Sequence, residues 1–190
     1  MKRDEVAHAK PIYHISSTHR RWLSDVLVEK TKIRVMASGV FDIIHLGHVH
    51  YLEQARKLGD ELVVVVATDK TVRKMKHEPI TPGNMRVQLV NSLKPVTSAV
   101  LGHEDDIFRT VEEIRPDIIA LGFDQKFDEA ELVRQLESRG LTGIRVVRLS
   151  KMEYESFDLD GTRKIIQRVL DWYALDRKLR PVEGKDGGRS

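Results

Sequence analysis

The sequence predicts an α/β protein with a five-stranded, mainly parallel sheet covered by helices. Five short apolar runs, most of them rich in valine and isoleucine, have the length and composition of buried strands. Segments with helical spacing alternate with these runs, and this alternation is typical of a parallel sheet. The predicted strands are residues 32–38, 61–68, 98–102, 117–122 and 143–149.

The helical segments repeat apolar residues near the 3.6-residue period, and Pro, Asp or Gly marks their boundaries. Ligands of such sheets lie beyond the C-terminal ends of the strands. Ser38, Thr68, Gly102 and Gly122 fall at those ends, so we expect one polar cleft there. The predicted helices of the core are residues 48–60, 82–93, 105–117 and 128–140.

The chain is predicted to contain one globular domain with two appended segments. Its 190 residues, 41% hydrophobic and 32% charged, suit a single soluble domain. We place that domain at residues 31–174, after an extension with one helix at residues 1–30. Residues 175–190 are polar and predicted to be a disordered tail.

Composition excludes several classes of function. The longest apolar run, Leu62 to Ala67, is far shorter than the roughly 20 residues that span a bilayer, so we expect a cytoplasmic protein without membrane contact. The absence of cysteine excludes disulfides, thiolate zinc sites and a cysteine nucleophile. The net charge of +3 comes from 32 basic and 29 acidic residues, a mixture that suits phosphorylated small molecules as well as nucleic acid.

The turn after the first predicted strand carries three histidines in "ASGVFDIIHLGHVHYL", residues 37–52. Exposed N–H groups at a helix N-terminus favour a phosphate. If the helix begins near Leu46, the imidazoles of His45 and His48 can face one anion there. His50 lies on another side of that helix. Zinc would require a third protein ligand that this pair does not supply, so no residue is assigned to a metal.

This turn resembles that of the cytidylyltransferase-like nucleotidyltransferases, and the similarity continues to about residue 172. The resemblance implies a Rossmann-like, three-layer αβα nucleotidyltransferase fold. It also implies transfer of a nucleotidyl group from an NTP to a phosphorylated acceptor, with release of pyrophosphate. The residues that match the signature Gly-x-Phe-Asp-x-x-His-x-Gly-His are Gly39, Phe41, Asp42, His45, Gly47 and His48.

By this resemblance His45 and His48 are catalytic and stabilise charge that develops on the transferred phosphoryl group and on pyrophosphate. The acceptor phosphate is already ionised at pH 7, so positioning and neutralisation matter more than deprotonation. Mg²⁺ or another divalent cation is expected on the NTP, held largely by phosphate oxygens. Asp42 is predicted to fix the turn by hydrogen bonding. The nucleotide-binding residues expected in this turn are Ser38, Gly39, Val40, Phe41, His45, Leu46, Gly47 and His48.

A basic, turn-rich segment follows the second predicted strand, at residues 68–86. Such a run is usually a solvated face. The family has a lysine-bearing loop here and an arginine at the start of the next helix. The resemblance therefore makes Lys74 or Lys76, and Arg86, candidates for binding phosphates. We assign Lys76 and Arg86 as further catalytic residues.

Two later segments complete the expected nucleotide site. Asp124 follows the fourth predicted strand where the family has an aspartate near the nucleotide, and Asp128 is the better candidate to cap the next helix. The segment "DLDGTRKII", residues 158–166, resembles the family's closing motif, in which a helix N-terminus binds the triphosphate. Gly161 stands where many members have serine. The residues assigned to the nucleotide here are Thr162, Arg163 and, for stacking on the base, Tyr154.

Within the family, "LGFDQKFDEAEL" and the short single-domain layout most resemble the archaeal-type FAD synthases, which transfer AMP from ATP to FMN. Glycerol-3-phosphate cytidylyltransferase, which uses CTP, remains an alternative because it shares the motifs above. A non-catalytic nucleotide-binding or nucleic-acid-binding module is a more remote one. We expect small-molecule substrates, no nucleic-acid partner and, from the resemblance alone, a possible homodimer.

Overall fold

A computed structural model describes residues 32–75, 78–152, 159 and 161–179. Three of the expectations concern residues outside these ranges: the helix-bearing extension at residues 1–30, the lysine Lys76 and the aromatic side chain of Tyr154. The part of the predicted tail from residue 180 onward also lies outside them.

The five predicted strands form one sheet in which every neighbouring pair is parallel. The strand order is β3-β2-β1-β4-β5, which confirms the predicted three-layer α/β fold. β1 lies at the centre because its alanine, valine and methionine side chains suit burial on both faces. The strands are β1 (Arg34–Gly39), β2 (Glu61–Val66), β3 (Ser98–Leu101), β4 (Ile118–Leu121) and β5 (Arg145–Arg148).

Six helices are found among the described residues, and none of them is long and apolar enough to cross a membrane. Five correspond to helical segments noted in the sequence. The sixth, α2, was missed: Thr68 caps it by accepting a hydrogen bond from the backbone N–H of Thr71 at 3.1 Å. The helices are α1 (Leu46–Arg56), α2 (Asp69–Lys74), α3 (Gly83–Asn91), α4 (Ile107–Ile114), α5 (Glu129–Ser138) and α6 (Thr162–Leu179).

Alternating side chains of the strands divide the core into two halves. Val35 and Ala37 of β1 face one half, which also contains Leu52 of α1 and Val90 of α3. Met36, between them in sequence, faces the other half, with side chains of α4 and α5. The period-2 alternation of a strand therefore seats a helical layer on each face of the sheet.

The order in which the strands are added to the sheet reverses at β1. The chain runs from β1 outward to β2 and β3, then returns to place β4 on the other side of β1. Loops diverge at such a switch point and leave a crevice at the C-terminal end of the strand. The turn from Gly39 to His45, which carries the predicted phosphate motif, begins at that end of β1.

The last helix is longer than the sequence suggested. α6 runs from Thr162 to Leu179, and so passes through the first part of the segment 175–190 predicted to be disordered. The segment is polar, but it holds no helix-breaking residue before Pro181.

Candidate active site

A cleft of about 1030 Å³ lies at the C-terminal ends of the strands, where the sequence predicted it. Its lining includes most of the described residues that were assigned to the nucleotide. Leu46 and Arg163 are exposed residues outside that lining. The assigned residues that line the cleft are Ser38, Gly39, Val40, Phe41, His45, Gly47, His48, Asp124 and Thr162.

The turn that holds the histidines is fixed by close packing. Phe41 adopts a left-handed conformation with φ 53°, which is uncommon for a non-glycine residue, and its side chain is buried. A Cβ atom added to Gly39 would lie 2.8 Å from the Phe41 ring. Gly39 is therefore required because the Phe41 ring packs directly on its backbone.

Asp42 holds the same turn by hydrogen bonds, as predicted. Its carboxylate accepts the backbone N–H groups of Ile80 at 2.7 Å and Thr81 at 2.8 Å, and the Thr81 hydroxyl at 2.7 Å. Burial by itself would raise the pKa of Asp42. These hydrogen bonds and the charge of Arg86 outweigh burial and lower the pKa below its ordinary value. Asp42 thus joins the histidine turn to the segment before α3.

His45 and His48 are brought together as the sequence predicted. Their rings stack with centroids 3.8 Å apart, and the backbone carbonyl of His45 accepts the N–H of His48 at 3.0 Å to begin α1. Burial, and secondly the neighbouring His45, lowers the pKa of His48 to about 4. The Nδ1 atom of His48 is buried with no hydrogen-bond partner among the described residues. A buried polar atom without a partner, beside a cleft, is suited to a ligand.

His50 departs from its prediction. The sequence placed it on another side of α1 from His45 and His48, without a role in binding, but it is half-buried and contributes to the cleft lining. The helix begins at Leu46, so His50 lies within its first two turns. The cleft is wide enough to reach it there.

Arg86 also departs from its prediction. Its guanidinium is fully buried and outside the cleft lining. It donates to the carbonyl oxygens of Thr81 at 2.9 Å and Val40 at 2.6 Å, and it pairs with the Asp69 carboxylate at 2.6 Å. With Nε, Nη1 and Nη2 each bonded to protein, Arg86 ties three segments together in place of the phosphate contact expected from the sequence.

The basic segment after β2 contributes Lys74 to the cleft lining. Two of its neighbours are paired at the surface: Lys70 with Glu104 at 2.9 Å and Arg73 with Glu78 at 2.7 Å. Lys74 donates to a neutral backbone carbonyl, that of Glu104, at 3.5 Å, and no carboxylate in the described part of the chain pairs with it. Of the two lysines that the sequence left open, the structure therefore describes Lys74 in a position to meet an anion.

The loop after β4 brings Asp124 to the cleft. Asp128 caps α5 by accepting the N–H of Glu131 at 2.7 Å, as predicted, which leaves Asp124 exposed in the lining. Gln125 was missed by the sequence analysis. Its side chain accepts the N–H of Gly122 at 3.0 Å and donates to the carbonyl of Ser38 at 2.8 Å, so it fastens this loop to β1.

The start of α6 closes one side of the cleft. Gly161 and Thr162 line it, and the carbonyl of Gly161 accepts the N–H groups of Lys164 at 3.1 Å and Ile165 at 3.2 Å. The first N–H groups of a helix have no partner within the helix and favour an anion. Lys126, Lys151 and the exposed aromatic residues Phe123 and Phe127 also line the cleft, although the sequence assigned none of them a role.

This fold and site define a nucleotidyltransferase with the His-x-Gly-His motif. Residues 36–176 match the family described as "Cytidylyltransferase-like", so the chain belongs to that family. Among its relatives, the FAD synthase of Aciduliprofundum boonei is 59% identical over 149 residues, which cover 76% of this chain and 98% of that protein. The FAD synthase of Thermoplasma acidophilum is 56% identical over 73% of this chain and 96% of its own length.

Solved structures agree with this assignment of the fold. A protein of Thermoplasma volcanium described as a lipopolysaccharide core biosynthesis protein superposes with a TM-score of 0.63. It is 56% identical and covers 64% of this chain and 99% of its own. An Archaeoglobus fulgidus protein of unknown function has a TM-score of 0.55 at 17% identity, covers 66% of this chain and 95% of its own, and shares the fold.

Proposed function

We propose that the protein is an FMN adenylyltransferase, which converts ATP and FMN to FAD and pyrophosphate. The observation that carries the proposal is the stacked pair of His45 and His48 at the beginning of α1, inside a cleft large enough for two substrates. The choice of ATP and FMN is supported by relatives named FAD synthase, which this chain matches at 59% and 56% identity over nearly their whole length.

The proposed reaction is a single displacement at phosphorus. An oxygen of the FMN phosphate attacks the α-phosphorus of ATP, a new P–O bond forms, and the bond to the bridging oxygen of pyrophosphate breaks. No proton has to leave the nucleophile, because a phosphate monoester is ionised at pH 7. The protein must therefore align the two phosphates and stabilise the charge that develops between them.

His48 suits this task as a neutral donor. Its pKa of about 4 leaves the imidazole uncharged at pH 7, so its N–H can donate to a phosphoryl oxygen. An anion bound beside it would raise that pKa, and the same ring could then carry a proton in the bound state. His45, stacked on it at 3.8 Å, is proposed to contact the same group of oxygens.

Positive charge for the leaving pyrophosphate is proposed to come from several elements. Lys74 and Lys151 line the cleft, and α1 and α6 both begin at it. Thr162 would donate its hydroxyl to the triphosphate, with Arg163 beside it at the helix start. Lys76 keeps its predicted catalytic role as a proposal. Asp124 is proposed to accept hydrogen bonds from the nucleotide, and Tyr154 to stack on its base.

A divalent cation is proposed to enter with ATP. Among the described residues no three histidine, aspartate or glutamate side chains form a group that could hold a metal. Phosphate oxygens and water are proposed to supply most of its ligands, a coordination that Mg²⁺ accepts. When bound, the cation neutralises phosphate charge; alignment of the two substrates remains the task of the protein.

The test is a substrate matrix. The full chain is incubated with MgCl₂ and either ATP or CTP, together with FMN or glycerol 3-phosphate, and both pyrophosphate and the adenylylated or cytidylylated product are measured. We expect FAD and equimolar pyrophosphate with ATP and FMN. Product formation confined to CTP and glycerol 3-phosphate would overturn the proposal in favour of a cytidylyltransferase.

A further inference from the structure

The cleft continues from the histidines onto the sheet face that α4 and α5 cover. Its floor there consists of apolar side chains from three adjacent strands, β2, β1 and β4. Val65 of β2 lies in register with Ser38 of β1, and Ile119 of β4 lies in register with Met36 of β1. These side chains line the cleft together with Leu121, so they form a continuous apolar surface.

The walls of this part of the cleft are also apolar. Phe108 and Val111 extend from α4, and Leu132 extends from α5. They are at most 8% exposed, so the surface lies deep in the molecule. We call this part, lined by Met36, Val65, Phe108, Val111, Ile119, Leu121 and Leu132, the deep pocket.

Polar groups stand at one edge of the deep pocket. Thr110 is buried in the cleft lining, and its hydroxyl oxygen accepts the backbone N–H of His103 at 3.0 Å. The His103 ring lies 2.9 Å from the Glu113 carboxylate. The deep pocket therefore combines an apolar floor with hydrogen-bonding groups at one side, a pattern typical of small-molecule and cofactor sites.

We propose that the deep pocket binds the isoalloxazine ring of the flavin acceptor and selects that acceptor by its ring. This inference rests on the proposed function. The dimethylbenzene edge of isoalloxazine is apolar and would contact the floor, whereas its pyrimidine edge carries donors and acceptors that Thr110 and His103 can meet. The phosphate end would reach the His45–His48 pair at the switch point.

Adenine is the other ring system that the proposed reaction requires in the cleft. The side of the cleft formed by the loop after β4 suits adenine better than the deep pocket does. The loop after β4 offers the carboxylate of Asp124 and the exposed ring of Phe123. Adenine has hydrogen-bonding atoms around most of its edge, so burying it against Met36 and Ile119 would leave several without partners. Glycerol 3-phosphate would leave most of the apolar floor without a contact.

The test is a substitution that narrows the deep pocket at its floor. Val65 is half-buried at the end of β2, so Val65→Phe would project a ring into the space proposed for isoalloxazine. Val100 of β3 is its register partner, on the same row of the sheet but 38% exposed and outside the cleft lining. Val100→Phe therefore makes the same change on the neighbouring strand and serves as the matched control.

We expect Val65→Phe to raise the KM for FMN by roughly tenfold or more, with an unchanged KM for ATP, because steric mismatch in an apolar pocket acts on one substrate. Val100→Phe should resemble the wild type. Titration of FMN fluorescence without ATP should show the same loss of flavin binding. Should Val65→Phe fail to fold in a thermal melt, Val65→Leu makes the test with a smaller side chain.

The outcomes separate this inference from the proposed function. If the wild-type chain makes no FAD from ATP and FMN, the proposed function fails. If it makes FAD, but the Val65 and Val100 variants have equal KM values for FMN and bind FMN equally, the function stands and the deep pocket is not the flavin site. An increase in the KM for ATP alone would assign the deep pocket to adenine and would likewise overturn the inference.

Discussion

At the scale of single residues, the site depends on where burial places each polar group. His45 and His48 stack at the beginning of α1, and burial keeps His48 neutral at pH 7. Arg86, which sequence similarity suggested as a phosphate ligand, is fully buried and bonded to protein atoms. Residue type therefore identified the chemistry available, and burial decided which group faces the cleft.

The first prediction at this scale concerns the histidine pair. We expect His45→Ala and His48→Ala each to lower kcat by about two decades, because each removes a donor placed at the developing charge. Steady-state pyrophosphate release measures the effect, and circular dichroism checks the fold. Glu53→Ala, an exposed change on the same helix, is the control. Near-normal turnover in both histidine variants would exclude the proposed role.

Asp42 gives a prediction about pH. Its folded-state pKa is lowered, so it contributes stability above its unfolded pKa that is lost as pH falls through the folded pKa. We therefore expect Asp42→Asn to be less stable than the wild type at pH 6, with a difference that shrinks below about pH 4, near the ordinary carboxyl pKa. Urea unfolding at pH 3 to 6 measures the difference in the free energy of unfolding between the two proteins. Asp105→Asn, at an 87% exposed carboxylate, is the control, and a pH-independent difference would contradict the prediction.

At the scale of elements, the site is held by side chains that join loops far apart in sequence. Arg86 of α3 bonds to Val40 after β1 and to Asp69 at the start of α2. Gln125 joins the loop after β4 to Ser38 at the end of β1. The histidine turn is therefore positioned by helices and loops on both sides of the switch point.

The Arg86 contacts predict a large loss of stability on truncation. Arg86→Ala should lower the free energy of unfolding by about 3 kcal/mol, since it removes a fully buried guanidinium that pairs with the half-buried Asp69 and leaves two carbonyl oxygens without their donor. Urea denaturation provides the measurement. Arg73→Ala is the matched control, because its pair with Glu78 is exposed and should contribute less than about 1 kcal/mol. Equal losses in the two variants would refute a structural role for Arg86.

At the scale of the whole molecule, the described domain is one sheet whose loops gather at a single cleft. Strand β1 lies at its centre, so the histidine turn is flanked by loops from both halves of the sheet. This arrangement suits the proposed reaction, in which the phosphate of FMN attacks the α-phosphorus of ATP. The homodimer implied by the family resemblance stays a prediction, which light scattering of the purified chain can check.

Substrate binding should stabilise the whole domain. With MgATP at 100 times its Kd, binding to the folded state adds about 2.7 kcal/mol to the free energy of unfolding. For a chain of this size, that corresponds to an increase of roughly 5–10 °C in Tm. Differential scanning fluorimetry measures the shift, with MgCl₂ alone as the control. Unchanged melting at millimolar MgATP would contradict nucleotide binding in the cleft.

The sequence by itself determined the parallel sheet, the histidine turn and the cap of α5. These features are local: strands show as apolar runs, and Asp128 caps α5 within three residues. Only the tertiary structure decided the burial of Arg86, the loop contact of Gln125 and the deep pocket between α4 and α5. Their causes are contacts such as Gln125 to Ser38, 87 positions apart, which no local pattern encodes.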